Sequence, residues 1–267
     1  MTTYLDLYRY RELFGSLFRR DLRAKYKGSV LGLAWSLAHP LVLMLVYLFV
    51  FSVMLKIQTA NATPHYWLFL LAGLPVWVFF ATSLQAASRS LLENANLIRK
   101  VRFPRQLVPL SIVATQLVGF AVMLAIVVGL SLAFLPEARG TVWLALPLAA
   151  LAVCLVAGLS LAVASLNAIY RDVEHLVAAL LLPWFFLTPV LYALEGIPGV
   201  QEHPRLVGLV HWGNPLTPAI EAIRDPLFFG VVPAAGDAIY LAVSAVLALA
   251  LGALVFTRVD DRVAVEV

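Results

Sequence analysis

The sequence predicts an all-α, polytopic membrane protein: six transmembrane helices, an N-terminal amphipathic interface helix, a short cytoplasmic helix between spans 2 and 3, and outward re-entrant helices. Three observations carry this expectation. Hydrophobic residues make up 62% of the 267-residue chain and charged residues only 13%, with a mean hydropathy of +0.92, far from the balance of a soluble domain. The charges are absent from long stretches and crowded into short ones, as in a chain that alternates between lipid and water. Finally, the basic residues gather on alternate connections between the apolar runs. A single membrane domain covering 1–267, with no separable soluble domain, is the simplest organisation.

The same composition excludes several classes. The sequence pI is about 9.3, but the basic residues flank apolar runs and form no separate basic domain, so no nucleic-acid partner is expected. The single cysteine, Cys154, lies inside an apolar stretch and offers neither an internal disulfide nor a cysteine metal cluster. The first apolar run is preceded by Asp6, Arg9, Arg11, Glu12 and further charges through Lys27, which is not the pattern of a cleaved signal peptide. Span 1 is therefore expected to stay in the membrane.

In chain order, Leu13, Phe14, Leu17 and Phe18 recur at helical spacing, while Glu12, Ser16, Arg19, Arg23 and Lys27 follow the opposite face. This predicts an in-plane helix from Tyr10 onward, serving either as an anchor or as a recognition element for a lipid phosphate. No Asp, Glu, Lys or Arg occurs between Lys27 and Lys56, and a crossing needs about 20 such residues. Span 1 is placed at 31–55, span 2 at 66–88, span 3 at 107–135, span 4 at 141–170, span 5 at 176–194 and span 6 at 238–256. Hydrocarbon satisfies no peptide groups, so each must be helical. After span 2, the stripe Leu91, Leu92, Ala95, Ile98 and Val101 predicts a short amphipathic helix ending near Pro104, either a surface connector or a docking knob. Between residues 195 and 237, six prolines forbid one long helix, yet 206–212 and 227–232 are too apolar for water. Short re-entrant helices fit best. Pro183 and Pro189 predict a kink or break in span 5.

Six spans put both termini on one side, and the basic residues assign that side. Fifteen fall on the N-terminal segment, the 2–3 and 4–5 loops and the tail, against four (Lys56, Arg139, Arg205 and Arg224) on the other side. That asymmetry predicts cytoplasmic termini in an inner membrane.

The search for chemistry finds no GxxxxGK[ST], HExxH or GxSxG motif, so no ATP hydrolysis is expected from this chain alone. The five histidines are scattered over both sides and span 1, so no metal site is expected. Aromatic residues in spans 1, 2 and 5, among them Tyr47, Phe51, Trp77, Phe185 and Tyr192, fit two readings: belt and core packing, or a stacking surface for passing sugar rings. Phe185 and Tyr192, seven residues apart, are expected on one helical face, subject to Pro189. Gly28 with Gly32, and Gly158 with Ala162, have the spacing that permits close helix approach.

Four stretches together resemble the permease family of type-2 ABC exporters for O-antigen, teichoic acid and related lipid-linked glycans. They are RRDLRAKYKGSVLG at 19–32 with Trp35, Ser36 and Pro40; LLENANLIRKVRFPR at 91–105; Tyr170-Arg171-Asp172-Val173; and Asn214-Pro215-Leu216-Thr217. The first two are long and specific. The resemblance implies a transmembrane subunit of an ATP-driven exporter of polyprenyl-pyrophosphate-linked polysaccharide, not an enzyme. It also implies a second copy of the chain and two nucleotide-binding ATPase subunits that hold the ATP and magnesium, with no cofactor in this chain.

On that reading the helix at 91–101 is a coupling helix. Glu93, Asn96, Arg99 and Lys100 make polar contacts to the ATPase, and Leu92 and Ile98 make buried ones. Arg19, Arg20, Arg23, Lys25 and Lys27 would meet the lipid pyrophosphate or membrane lipids at a lateral gate, and Tyr47, Phe51, Trp77, Phe185 and Tyr192 would line the glycan conduit. Two rivals remain: an exporter of small hydrophobic compounds, and an integral-membrane glycan-modifying enzyme. The enzyme would need ionisable groups within its spans, and these spans carry none besides histidine.

Overall fold

The computed structural model describes residues 9–28, 65–101, 103–194 and 204–266, with residues 38, 41, 42, 45–47, 49 and 50 between the first two stretches. The expected span 1, including Phe51, lies outside the described residues apart from those few. The described chain is all-helical: α1 (Arg11–Tyr26), α2 (Tyr66–Glu93), α3 (Ala95–Lys100), α4 (Leu107–Phe134), α5 (Ala145–Ile169), α6 (Val173–Leu187), α7 (Pro204–Trp212), α8 (Leu216–Arg224) and α9 (Ala235–Glu266). Among the described residues, four helices are long and apolar enough to cross a membrane: Tyr66–Glu93, Leu107–Phe134, Val142–Ile169 and Ala235–Val259.

The helix α2 is the centre of the bundle. From Leu68 to Trp77 every residue is buried, so neighbours cover its full circumference in this half. Around it pack α4, α5, α6 and α8. The outer helices are apolar on both sides, because their solvent is lipid: on α9, Ile239, Val243, Val246, Leu247, Leu251 and Leu254 face outward. Its buried face is instead marked by Leu241, Ala245, Ala248, Gly252 and Phe256, a stripe at helical spacing in which three small residues lie between two large ones.

Those small residues let α5 and α9 touch backbone to backbone. A side chain added at Gly158 would meet the Ala248 carbonyl, and one added at Gly252 would meet the Gly158 carbonyl. The close approach expected from the small-residue spacing on span 4 therefore exists, with α9 as its partner.

Span 5 requires a correction. The expected helix over 176–194 is found as Val173–Leu187. Pro183 sits inside α6 without ending it, whereas Pro189 forces Thr188 into extended backbone at ψ 130° and stops the helix there. At 1.5 Å per residue α6 is only about 22 Å long. The following turn continues in the same direction, since the Tyr66 hydroxyl at the start of α2 donates to the Leu191 carbonyl (2.6 Å). The proline-rich segment does break into short helices, α7 and α8, followed by a π-turn at Asp225–Phe229 that closes on Gly230 at φ 66°.

Replacing Gly158 or Gly252 by leucine is expected to force α5 and α9 apart and to cost about 1–3 kcal/mol, seen as a lower unfolding midpoint in detergent. Gly129→Leu is the control, because a side chain there meets no atom within 4 Å. Equal melting of all three variants would contradict the role assigned to the crossing.

Candidate functional site

At one end of the bundle, the apolar stripe of α3 is built into the chain itself. Ile98 and Leu91 are buried with Val108, Leu110, Leu161, Ala164, Ala168 and Phe256, and Phe14, Leu92, Ala95 and Phe103 pack around them. Residues from α1, α2, α3, α4, α5 and α9 thus converge on one cluster. Ile98, expected to bury against a partner, is 9% exposed in the chain as it stands; it fixes α3 to the bundle and offers nothing outward. Leu92 is half-buried at the edge of the same cluster. Glu93, Asn96, Arg99 and Lys100 are exposed, so a polar surface remains on a helix anchored by its apolar side.

The junction between α2 and α3 is a polar tie. Asn94 donates from Nδ2 to the Ser90 carbonyl (2.8 Å) and accepts at Oδ1 from Arg20 Nη2 (2.7 Å). Arg20 also pairs with Asp21 Oδ1 (2.7 Å), and Asp21 Oδ2 accepts from Ser111 Oγ on α4 (2.8 Å). One turn further along α1, Lys25 Nζ donates to Gln116 Oε1 (2.6 Å). Desolvation of that amine lowers its pKa below the ordinary lysine value. All five basic residues assigned to α1 and its end are exposed, and two of them, Arg20 and Lys25, also tie α1 to Asn94 and to Gln116 on α4.

A second tie secures α6 at this end. Asn167, fully buried, donates to the Ser88 carbonyl (2.8 Å) and accepts from the Glu174 backbone N–H (2.8 Å). The Glu174 carboxylate faces Arg89 at 3.4 Å.

The aromatic residues form a continuous group inside the bundle. Phe185 stacks on Tyr47 with centroids 5.6 Å apart and meets Trp77 at 5.2 Å. Trp77 is 7% exposed and Phe185 5%, so both serve as core. Tyr192 does not share a helical face with Phe185: it lies beyond the end of α6, and its hydroxyl turns back to donate to the Phe186 carbonyl (2.8 Å). Phe51 lies outside the described residues. Beside this group, Asn214 accepts from Trp184 Nε1 (2.9 Å) and donates to Thr188 Oγ1 (2.9 Å), pinning the segment before α8 to the end of α6.

Sequence reasoning missed Arg224, which it counted as a loop charge. The guanidinium is buried at 2% exposure, donates from Nη2 to the Val190 carbonyl (2.9 Å) and lies 4.0 Å from the Phe69 ring centroid. In this position its Nη2 takes up the space that a Cβ at Gly73 on α2 would fill. The available signal was Gly73 inside an otherwise bulky span, which local patterning cannot connect to a residue so far along the chain.

Residues 12–228 match the sequence profile of the family described as ABC-2 type transporter. The chain is 32% identical over 244 residues to the O-antigen export system permease protein RfbA of Myxococcus xanthus, covering 91% of each chain. Two Klebsiella pneumoniae proteins of the same name are 31% and 30% identical over 223 residues, which is 83% of this chain and 82% of each relative.

Arg20→Ala and Asn94→Ala, made singly and together, are expected to be non-additive in their effect on the resistance of α1 to proteolysis in detergent. Because Arg20 is 46% exposed, the coupling should be that of a surface contact, about 0.2–1 kcal/mol, and should shrink in high salt. Additive effects would remove the tie.

Proposed function

The chain belongs to the ABC-2 type transporter family, and from that premise we propose that it is the membrane subunit of an ATP-driven exporter of lipid-linked polysaccharide of the O-antigen kind in the inner membrane. The observation that carries this reading is the similarity to O-antigen export permeases over 91% of both chains. The sequence has no phosphate-binding loop, so the energy is assigned to two nucleotide-binding ATPase subunits that hold ATP and magnesium. A second copy of this chain completes the membrane half.

Six crossings with cytoplasmic termini are part of the same proposal. Support comes from the fifteen-to-four distribution of basic residues and from the placement of α1. That helix packs at the α3 end of the bundle, whereas α2 starts at the other end, which agrees with the proposed first crossing. On this map α3 faces the cytoplasm and presents Glu93, Asn96, Arg99 and Lys100 to the ATPase. Leu92 flanks that surface.

Nucleotide-driven closure of the ATPase pair would push on α3 and bias the membrane halves toward an open path. Arg20 and Asn94 link that movement to α1, whose exposed Arg19, Arg23 and Lys27 are suited to a pyrophosphate at the cytoplasmic leaflet. The short helices α7 and α8 are assigned to the outward face, re-entering from it. The aromatic group of Tyr47, Trp77 and Phe185 supports the wall of the path from within the bundle, and this chain performs no covalent step.

Deleting the gene should abolish surface polysaccharide and leave lipid-linked glycan in the cytoplasmic leaflet. Glu93→Arg should weaken capture of the ATPase and lower export while membrane insertion stays normal. A deletion strain with intact surface glycan and new sensitivity to hydrophobic drugs would refute the substrate assignment. Normal ATPase capture and export by Glu93→Arg would remove that residue from the contact.

A further inference from the structure

The helices α7, α8 and α9 meet at one side chain. His211, near the end of α7, sets Nδ1 3.2 Å from Glu221 Oε2 on α8 and Nε2 2.7 Å from Asp237 Oδ1 at the start of α9. The three side chains are 17%, 23% and 9% exposed, so water screens them poorly.

The arrangement has a proton requirement. A neutral imidazole has one donor and one acceptor nitrogen, so it can satisfy only one of two ionised carboxylates, and its lone pair then faces the other. An imidazolium donates to both. We propose that His211 is a proton-held clamp: with both ring nitrogens protonated it fastens α7 to α8 and α9 together, and loss of one proton opens one of the two links and loosens α7.

The geometry favours a proton over a metal ion. The two ring nitrogens point to opposite sides, and each already has a carboxylate oxygen at hydrogen-bond distance. An ion would use only one of these nitrogens, whereas a proton on each serves both contacts, although one ligand atom from each of the three side chains does lie within 4.8 Å of the others.

The surroundings are specific. The imidazole packs edge-on against Trp212 at 4.3 Å between centroids, and the Tyr240 hydroxyl of α9 donates to the Trp212 carbonyl, so the ring is held in register. The remaining charged groups on α8 and its extension are Arg224, bound to Val190 and Phe69, and Asp225. On α7 the other charge is Arg205, in its first turn. The charges of α6, which forms a groove with α7, are Glu174 and His175 at its far end. Glu221 and Asp237 are thus the two carboxylates that the ring faces.

The sign follows directly. The clamp contributes stability while both ring nitrogens donate, so that contribution weakens as pH rises and the ring gives up one proton. This pH dependence stands without the export reading. If that reading also holds, the clamp lies on the outward face and senses the pH outside the membrane.

Hydrogen exchange of the full chain in lipid nanodiscs, corrected for intrinsic rates, tests the proposal. Protection of 204–212 should fall severalfold from about pH 5 to about pH 8, while protection within α2 and α4 stays level. His211→Gln should give low, pH-independent protection. Glu221→Gln should do the reverse: its amide donates to neutral Nδ1, Nε2–H still donates to Asp237, and α7 stays protected at the higher pH. Flat protection in the wild type, or a pH slope persisting in both variants, would overturn the clamp. Restoration of high-pH protection by zinc or manganese, and its loss with a chelator, would also overturn it in favour of a metal seat.

Discussion

The rest of the bundle depends on the contact between α5 and α9 at Gly158 and Gly252. Lipid is as apolar as leucine, so burying a leucine between two membrane helices gains little; close backbone contact and polar ties must hold them. Gly158 and Gly252 bring the two backbones together, which fixes the position of α9 along α5. That position has consequences at both ends. At one, Phe256 enters the cluster that seats α3; at the other, Asp237 reaches His211. A shift of α9 by one turn would disturb both.

The two ends are held by different chemistry. At the α3 end, apolar convergence on Ile98 is supplemented by short polar ties: Arg20 to Asn94, Ser111 to Asp21, and Asn167 to Ser88. At the opposite end the ties are a buried cation against Phe69 and Val190, and a histidine between two carboxylates. The α3 end suits a device that receives force, because α1, α3 and the ends of α2 and α4 form one packed unit. The opposite end suits a movable cover, because α7 is joined to its neighbours by few polar groups, His211 among them.

Much of this was legible in the sequence. Long apolar runs bounded by charges placed α2, α4, α5 and α9, and the alternation of Leu13, Phe14, Leu17 and Phe18 with charged residues placed α1. What failed was whatever depends on contacts between distant residues. The stripe containing Ile98 read as either a surface connector or a docking knob, because nothing local shows that Val108, Leu161 and Phe256 converge on it. Tyr192 was expected on a helical face with Phe185, but the restriction that Pro189 places on Thr188 ends α6 first. Arg224 looked like a loop charge, yet its guanidinium lies buried against Gly73, far earlier in the chain. The histidines looked scattered, yet the fold brings His211, Glu221 and Asp237 within ligand distance of one another. Local periodicity reports which face of a helix is apolar; it cannot report which other helix covers it.

In the proposed transporter, α1 and α3 move as one body when the ATPase acts, because Arg20 and Asn94 join them and Phe14 packs into the cluster around Ile98. The most direct measurement is the spin-label distance between exposed positions Ser16 on α1 and Asn96 on α3, in the assembled transporter, with and without ATP. In the proposed dimer, the distance between the two copies of Asn96, measured in parallel, reports the motion of the halves. The expected result is an unchanged Ser16-to-Asn96 distribution alongside a shifted Asn96-to-Asn96 distribution. A Ser16-to-Asn96 distance that shifts with ATP as much as the distance between copies would contradict it.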